Sequence, residues 1–529
     1  MIRFERRTEM KKLFVCVLAV CILLPVLAAC NGSAPKNDTK DGGIASGDSV
    51  ATDTGSETTG DTLPGTSDTS GGTSPGTSDS SGGTPTNPDD SFLDALGDHD
   101  FQGAEFKIIS RAAATKDFQG VGQGGTPVER AVYVRNEAVA NRFNVKLTVN
   151  SVSGDQRNDL YNMYYGLSLS DTHGVSLVTG NLNFSADMSV RGFTYDLNTL
   201  SSLALTEAWW GETFYESCVM GNKLFVAVGD VTHSIYDSAE VIFFNEALAA
   251  TYVKDQGGTP IDLYGAVRSG AWSWEAFVNC TLSVPYSQTG TVYGLVTDEN
   301  GAKALPQGMG VTVSQKQSDG RFLFGTTNDS HIRYDNIVAF FNGNDQVRYP
   351  VNEADSETVG NALFTAGQAV FYTQRLSAAS TLRAGMGEGQ TLGVLPYPKY
   401  DTAQQGYRTP LREDVTAMTV PKNVKNTEMV GLVTEALARY GYETVRPECW
   451  NTAFEGYTAD AEISEQLGRI RGGMTVSFEV LYSYNIGDVY SVVPSMISEN
   501  QTFAEYYQGK ASGWNELIKD IYSVLGVTS

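Results

Sequence analysis

The sequence predicts an α/β fold in two lobes, carried behind a disordered tether. Three observations predict it: a break in composition near residue 91, 439 residues beyond that break, and a strand–helix–strand pattern where the folded part begins. Single cores stop growing at about 250–300 residues, so 439 imply two lobes. A βαβ opening implies a parallel sheet with helices on its faces.

The N-terminus reads in three parts. Residues 1–12 carry Arg3, Arg6, Arg7, Lys11 and Lys12 against Glu5 and Glu9, and "LFVCVLAVCILLPVLAA" (13–29) has no charge. That order of positive region, apolar core and small residues marks a secretory signal. Seventeen apolar residues are at the short limit for a membrane span, and Pro25 would disturb a spanning helix. Leu27-Ala28-Ala29-Cys30 resembles a bacterial lipobox. The resemblance implies cleavage before Cys30 and a diacylglycerol on its thiol, where each buried methylene anchors by about 0.8 kcal/mol.

Behind Cys30 the chain changes character. Residues 31–91 have no aromatic residue, and "PGTSDTSGGTS" (64–74) is followed by its near-copy "PGTSDSSGGTP" (75–85). Such a segment buries too little apolar surface to offset chain entropy, so disorder is expected over 30–91. A flexible coil of this length reaches roughly 40–50 Å. That suits a tether holding a domain off a membrane through a thick cell wall; a mucin-like stalk would have much the same physics. With +3 on the leader and −8 on 31–90, the whole-chain −24 leaves −19 on the remainder. An acidic surface repels phosphate backbones and argues against nucleic acid as a partner.

The folded part is then legible in order. "EFKIIS" (105–110) alternates as a strand. Thr126-Pro127-Val128-Glu129 forms a capping box that opens a helix, and "NVKLTV" (144–149) is the second strand. "VSLVTG" (175–180) and "KLFVAVGD" (223–230) read as buried strands. "VIFFNEALAATYV" (241–253) switches from strand to helix at Asn245, Ser273 caps a helix in "SWEAFVNC", and "NALFTAGQAVFY" (361–372) pairs a helix with a strand. Asn426 caps an amphipathic helix carrying Met429, Val433, Ala436, Leu437 and Tyr440, with Gly441 as its terminator. "GVGQGG" (120–125) matches a dinucleotide fingerprint, but nine loop residues separate it from the strand it would have to follow directly, so it reads as a loop.

The order of segments resembles the extracellular solute-binding lipoproteins of bacterial ABC importers, the branch that mostly takes carbohydrates. The matching stretches are "PVERAVYVRNEAVANRFNV", "LTEAWWGETFYESCVMGNKLFVAVGD", "SAEVIFFNEALAATY", "GAWSWEAFVN", "LGVLPYPKYD" and "AMTVPKNVKNTEMVGLVTEALARYGYETV". The resemblance covers nearly all of 100–529. It implies a two-lobed, hinge-connected periplasmic-binding-protein-like fold that clamps a solute, most simply an oligosaccharide, and presents it to the permease. Lobe I is expected over 92–242 and 361–420, and lobe II over 243–360 and 421–529. The family often carries an Asp/Asn/Gly-rich insertion after "SWEAFVN"; here the chain reads "CTLSVPYSQTGTVYGL", which supports no cation site.

Sugar binding needs aromatic faces for C–H surface and paired polar groups for hydroxyls. The chain has 26 Tyr, 23 Phe and 6 Trp. Trp210, Tyr236, Tyr407 and Trp450 lie near strand ends or loops and are the aromatic candidates, although Trp209 and Trp210 could equally pack a lobe. Asn181, Asn183, Asp230 and Asp237 lie off strand ends, where doubly wound sheets bind ligands. Arg412 and Asp414, in "RTPLREDV", are weaker candidates. His99, His173, His233 and His331 show no metal-ligand spacing, and no cofactor is expected. Cys218, Cys280 and Cys449 remain after the leader; a disulfide between two of them and buried thiols both stay open. A surface glycoside hydrolase would use the same aromatics with two carboxylates, but neither G-x-S-x-G nor H-E-x-x-H occurs. A non-transport receptor for carbohydrate is the other alternative.

Overall fold

A computed structural model describes residues 91–153, 156–171, 173–211, 213–286, 292–349, 355–453, 461–487 and 489–527. The leader, Cys30 and all but the last residue of the expected tether lie outside the described residues. Among the described residues, thirteen strands form two larger sheets and two short pairs.

The first sheet, which defines lobe I, is built from the predicted βαβ unit. Strand β1 (Ala104–Arg111) is followed by the helix Pro127–Phe143 and by β2 (Val145–Val152), which pairs with β1 in parallel from Ala104↔Val145 to Arg111↔Val152. The capping box closes as read: the Thr126 side chain accepts from the Glu129 amide and Glu129 returns the bond. At the other end Asn144 takes a left-handed turn (φ 47°) that sends the chain straight into β2. Strand β3 (Val175–Asn181) lies parallel on the other side of β1. Within "GVGQGG", a Cβ at Gly120 would sit 2.1 Å from the Tyr133 amide, so this glycine lets the loop press against the helix.

Lobe II is a five-stranded sheet. It contains β4 (Glu240–Asn245) and β5 (Tyr293–Val296), while β6 (Ser314–Lys316) and β7 (Phe322–Phe324) form a separate hairpin. The sheet continues through β8 (Val347–Arg348), β9 (Ala369–Arg375) and β10 (Leu392–Leu395), in the order β10-β4-β9-β5-β8. All six residues of β4 are buried, as expected for a strand covered on both faces. Trp272, Trp274, Phe277, Phe340 and Phe371 pack edge to face in the core of this lobe. Strands β11 (Thr409–Pro410) and β13 (Met474–Thr475) pair with each other, and β12 (Thr416–Thr419) returns to the first sheet, giving the order β12-β3-β1-β2.

This topology corrects the expected boundaries. Residues 361–420 do not return to lobe I as a block: β9 and β10 pair with β4 in lobe II, and only β12 rejoins β3. Nor does 421–529 belong wholly to lobe II, because the helix Thr427–Tyr440 packs on the helix Pro127–Phe143. The pairings that decide membership are long-range, and local patterning carries no record of them. "KLFVAVGD" is buried but forms no regular strand; Ala227 makes a single bridge to Met418.

The main chain passes between the sheets at 238–240 and again at 411–415. The two passages are stitched by the Ala239↔Leu411 bridge and by the Arg412 amide, which donates to the Ser238 carbonyl at 3.0 Å. Here Glu240, wholly buried, pairs with Arg412, whose Nη2 also donates to Gln374 Oε1 at 2.6 Å.

Gly441 does not terminate its helix. The helix Thr427–Tyr440 runs on through a π-turn, Gly441–Val445, into Arg446–Ala453. The glycine answers a different need, since a Cβ at 441 would lie 1.9 Å from the Asp230 carbonyl oxygen. We expect Gly441→Ala to lower the unfolding free energy by about 1–3 kcal/mol through overpacking. Urea melts check this, and an unchanged midpoint would contradict the close approach.

Candidate functional site

In open α/β sheets the crevice for ligand lies off the carboxyl ends of the strands, where the strand order reverses about a central strand. In lobe I that place is between β1 and β3, whose last residues are Arg111 and Asn181. Arg111 Nη1 donates to Asn181 Oδ1 and, at 2.8 Å, to the Asp414 carbonyl. The second passage between the sheets is a turn closed by the Val415 amide on the Arg412 carbonyl (3.1 Å), so Glu413 and Asp414 occupy its two central positions. Asp414 Oδ1 accepts from Ser238 Oγ at 3.4 Å, and Oδ2 lies 3.6 Å from Nη1 of Arg375, the last residue of β9. Guanidinium groups from both sheets thus converge on one residue.

Asn183 is 6% exposed; its Nδ2 lies 3.4 Å from Glu413 Oε2, and its Oδ1 is buried without a hydrogen-bond partner. Ser483 Oγ approaches the same carboxylate at 3.4 Å. Next to it Tyr484 is 44% exposed, with the Arg157 guanidinium 4.4 Å from its ring centre. Arg157 and Arg191 both pair with buried Asp187, which also accepts from Asn485 at 3.0 Å. The crevice therefore offers amide, carboxylate and guanidinium groups beside an exposed aromatic ring, a donor and acceptor set suited to hydroxyls.

A second group of candidates gathers elsewhere. The Tyr236 hydroxyl donates to Asp230 Oδ1 at 2.8 Å, Arg446 Nη1 lies 3.4 Å from Oδ2, and the Trp450 ring meets Tyr236 edge-on at 5.0 Å. Glycine lets the chain close around Asp230: Cβ atoms at Gly229 and Gly441 would strike the Trp209 and Asp230 carbonyl oxygens. Burial pushes the Asp230 carboxyl up to about 7, while Arg446, the Tyr236 hydroxyl and Arg471 each pull it back.

The short helix His233–Ser238 runs between the two groups. Asp237 is paired with Lys116 at 2.7 Å. Buried Asp117 accepts from the Ser234 amide and hydroxyl at 3.1 and 2.5 Å, and its carbonyl accepts from buried Arg135 at 2.6 Å. Burial holds Arg135 down at about 10. It also lowers His233, whose Nδ1 sits 3.0 Å from Asp117. These contacts lock the loop after β1 onto the first passage.

Three sequence candidates turn out to serve the scaffold. Trp210 is 1% exposed and donates its indole N–H to Glu435 at 2.8 Å, as does half-buried Trp209; both rings brace the Asp230 segment. Arg412 is committed to Glu240 and Gln374. Tyr407 packs against the core beneath Lys399, near the β11–β13 pair, with burial pushing its hydroxyl up to about 12. Cys218, Cys280 and Cys449 are free thiols. Arg111, Arg375, Glu413, Ser483 and Tyr484, with Tyr442, Arg446 and Arg471, were not singled out by sequence. Arg111 ends a readable strand and the strand-end rule would have found it; Tyr442 and Arg446 were hidden by reading Gly441 as a stop.

No protein-family model matches the chain, and no curated protein sequence matches it. Among solved structures, the chain is similar to the galacto-N-biose/lacto-N-biose I-binding protein of an ABC transporter from Bifidobacterium longum, solved with lacto-N-biose. The two share 11% identity over 79% of this chain and 98% of that one, with a TM-score of 0.52. The GacH receptor of Streptomyces glaucescens (12%, 79% and 99%, TM-score 0.49) and an ABC substrate-binding protein from Listeria monocytogenes solved with cycloalternan (11%, 80% and 99%, TM-score 0.47) also align. The first likeness and the two-sheet topology define the class: a two-lobed α/β fold of the periplasmic-binding-protein type.

Two outcomes follow from these environments. Arg412→Ala should cost about 3–5 kcal/mol by leaving Glu240 buried and unpaired, and adding Glu240→Gln should recover part of it; denaturant melts of the single and double variants check this. For Asp230, a folded-state value above the unfolded value of about 3.9 makes the folded state the better proton binder. Its contribution to stability therefore falls as pH rises from about 4 to about 7. Arg446, Arg471, Tyr236 and Cys449 face this group, and His233 contributes with the opposite sign, so the comparison is with Asp230→Asn: the stability of the parent relative to this variant should fall over that range.

Proposed function

We propose that this chain is the solute-binding protein of an ABC importer, capturing a carbohydrate in the crevice at Arg111, Asn181, Asn183 and Asp414. The observation that carries this is the meeting of Arg111 from the first sheet and Arg375 from the second on Asp414, at the passage joining them. A solute there can touch both lobes, and contacts available only when the lobes approach give the closed form its differential affinity. Tyr484 supplies the apolar ring face, and Asn183 Oδ1 is an acceptor awaiting a hydroxyl. The lobes support such a role through their likeness to a protein whose structure was solved with lacto-N-biose.

The signal and Cys30 complete the proposal: a lipid-anchored receptor on the outer face of a Gram-positive cell membrane, handing its solute to the permease. No described helix is long and apolar enough to cross a membrane. On this proposal the protein retains its solute unchanged.

Thermal melts of the full chain against a panel of oligosaccharides test this. One sugar class should raise the melting temperature, and Asn183→Ala and Tyr484→Ala should each weaken its binding about tenfold, the equivalent of about 1.4 kcal/mol. No shift across the panel would remove the carbohydrate assignment, and turnover of a labelled oligosaccharide would favour a hydrolase.

A further inference from the structure

The Asp230 group lines a half-open cavity of about 240 Å³, bounded by Asp230, Tyr236, Tyr442, Arg446, Arg471 and Met474 together with four glycines. None of the crevice residues lines it. Within the short helix His233–Ser238, Tyr236 serves the cavity while Ser238 serves the crevice. The two places are separate.

Its walls point to a ligand. Arg446 lies 3.3 Å from the Tyr442 ring centre, and its Nε is buried without a hydrogen-bond partner. Arg471, in the last turn of the helix Ala461–Gly472, is exposed and forms no ion pair with any described residue, in a protein of net charge −24. Two guanidinium groups therefore face one buried carboxylate. Gly468 and Gly472, one helical turn apart, line the same space, yet a Cβ at either would meet nothing within 4 Å. Packing gives no reason for glycine there, and side chains at these positions would take up the space.

We propose that this cavity is a second ligand site, distinct from the solute crevice, that takes a hydroxylated monocarboxylate of single-sugar size such as a hexuronate. Guanidinium forks match a carboxylate in two parallel hydrogen bonds, and Arg471 with the free edge of Arg446 supplies them. Asp230 and Tyr236 offer an acceptor and a hydroxyl to ring hydroxyls. The volume lies below the 300–1,000 Å³ of drug-sized sites and fits a single ring.

Calorimetric titration of the full chain with glucuronate, with glucose as the neutral comparator, tests the site. Glucuronate should bind, and glucose at least tenfold more weakly. Arg471→Gln, at an exposed position, should weaken glucuronate tenfold or more. Gly468→Leu should abolish binding without lowering the melting temperature, and Asn183→Ala should leave it unchanged. No detectable heat with glucuronate, equal binding of glucose, or affinity insensitive to Arg471→Gln and Gly468→Leu would overturn the proposal. Loss through Asn183→Ala alone would place the acid in the crevice and overturn it too.

Discussion

The buried pair between Glu240 and Arg412 is the constraint on which the arrangement of the waist depends. Each charge is costly in the interior without the other, and the partners come from two different passages between the sheets. Burial drives the Glu240 carboxyl upward and Arg412 draws it back; Arg412, against its own burial, is held charged by Glu240. Together with the Ala239↔Leu411 bridge, the pair fixes the register of one passage against the other. The turn that follows Arg412 then has one available position, which sets the Glu413 and Asp414 carboxylates between strand ends of both lobes.

A second support stands at right angles to this in chemical terms, being aromatic. Glu435, on the helix Thr427–Tyr440, takes both indole N–H groups of Trp209 and Trp210 and the Ala204 amide. Burial raises its carboxyl, and these donors oppose the rise. The Trp209 carbonyl in turn accepts the Asp230 amide at 2.8 Å. Trp210, which sequence alone offers as a ligand-facing aromatic, thus joins Trp209 in bracketing a carboxylate, and the polar group they place, Asp230, lines a cavity.

What sequence reveals follows from the range of the interactions involved. The lobe I βαβ unit, the capped helices at Asn245, Ser273 and Asn426, and the strand end at Asn181 are written in residues within a few positions of one another. Lobe membership is not, because β4 finds β9 and β10 more than a hundred residues away. The same holds for Arg412, whose fate depends on Glu240, and for Gly441, whose purpose is a close approach to Asp230 in place of a helix stop. Strand-end logic applied to Arg111 as well as Asn181 would have recovered more of the crevice; Ser483 and Tyr484 carry no local signal, since only the fold brings them to Glu413.

The central claim is that solute is held at the waist by groups from both lobes. Hydrogen–deuterium exchange of the full chain, with and without the carbohydrate that stabilises it, tests this most directly. Slower exchange should appear together at 111–117 and 181–185 beside the first sheet, at 373–376 at the end of β9 in the second, and at 411–416 and 483–486. Protection confined to one lobe, or absent from the turn at Glu413 and Asp414, would contradict it.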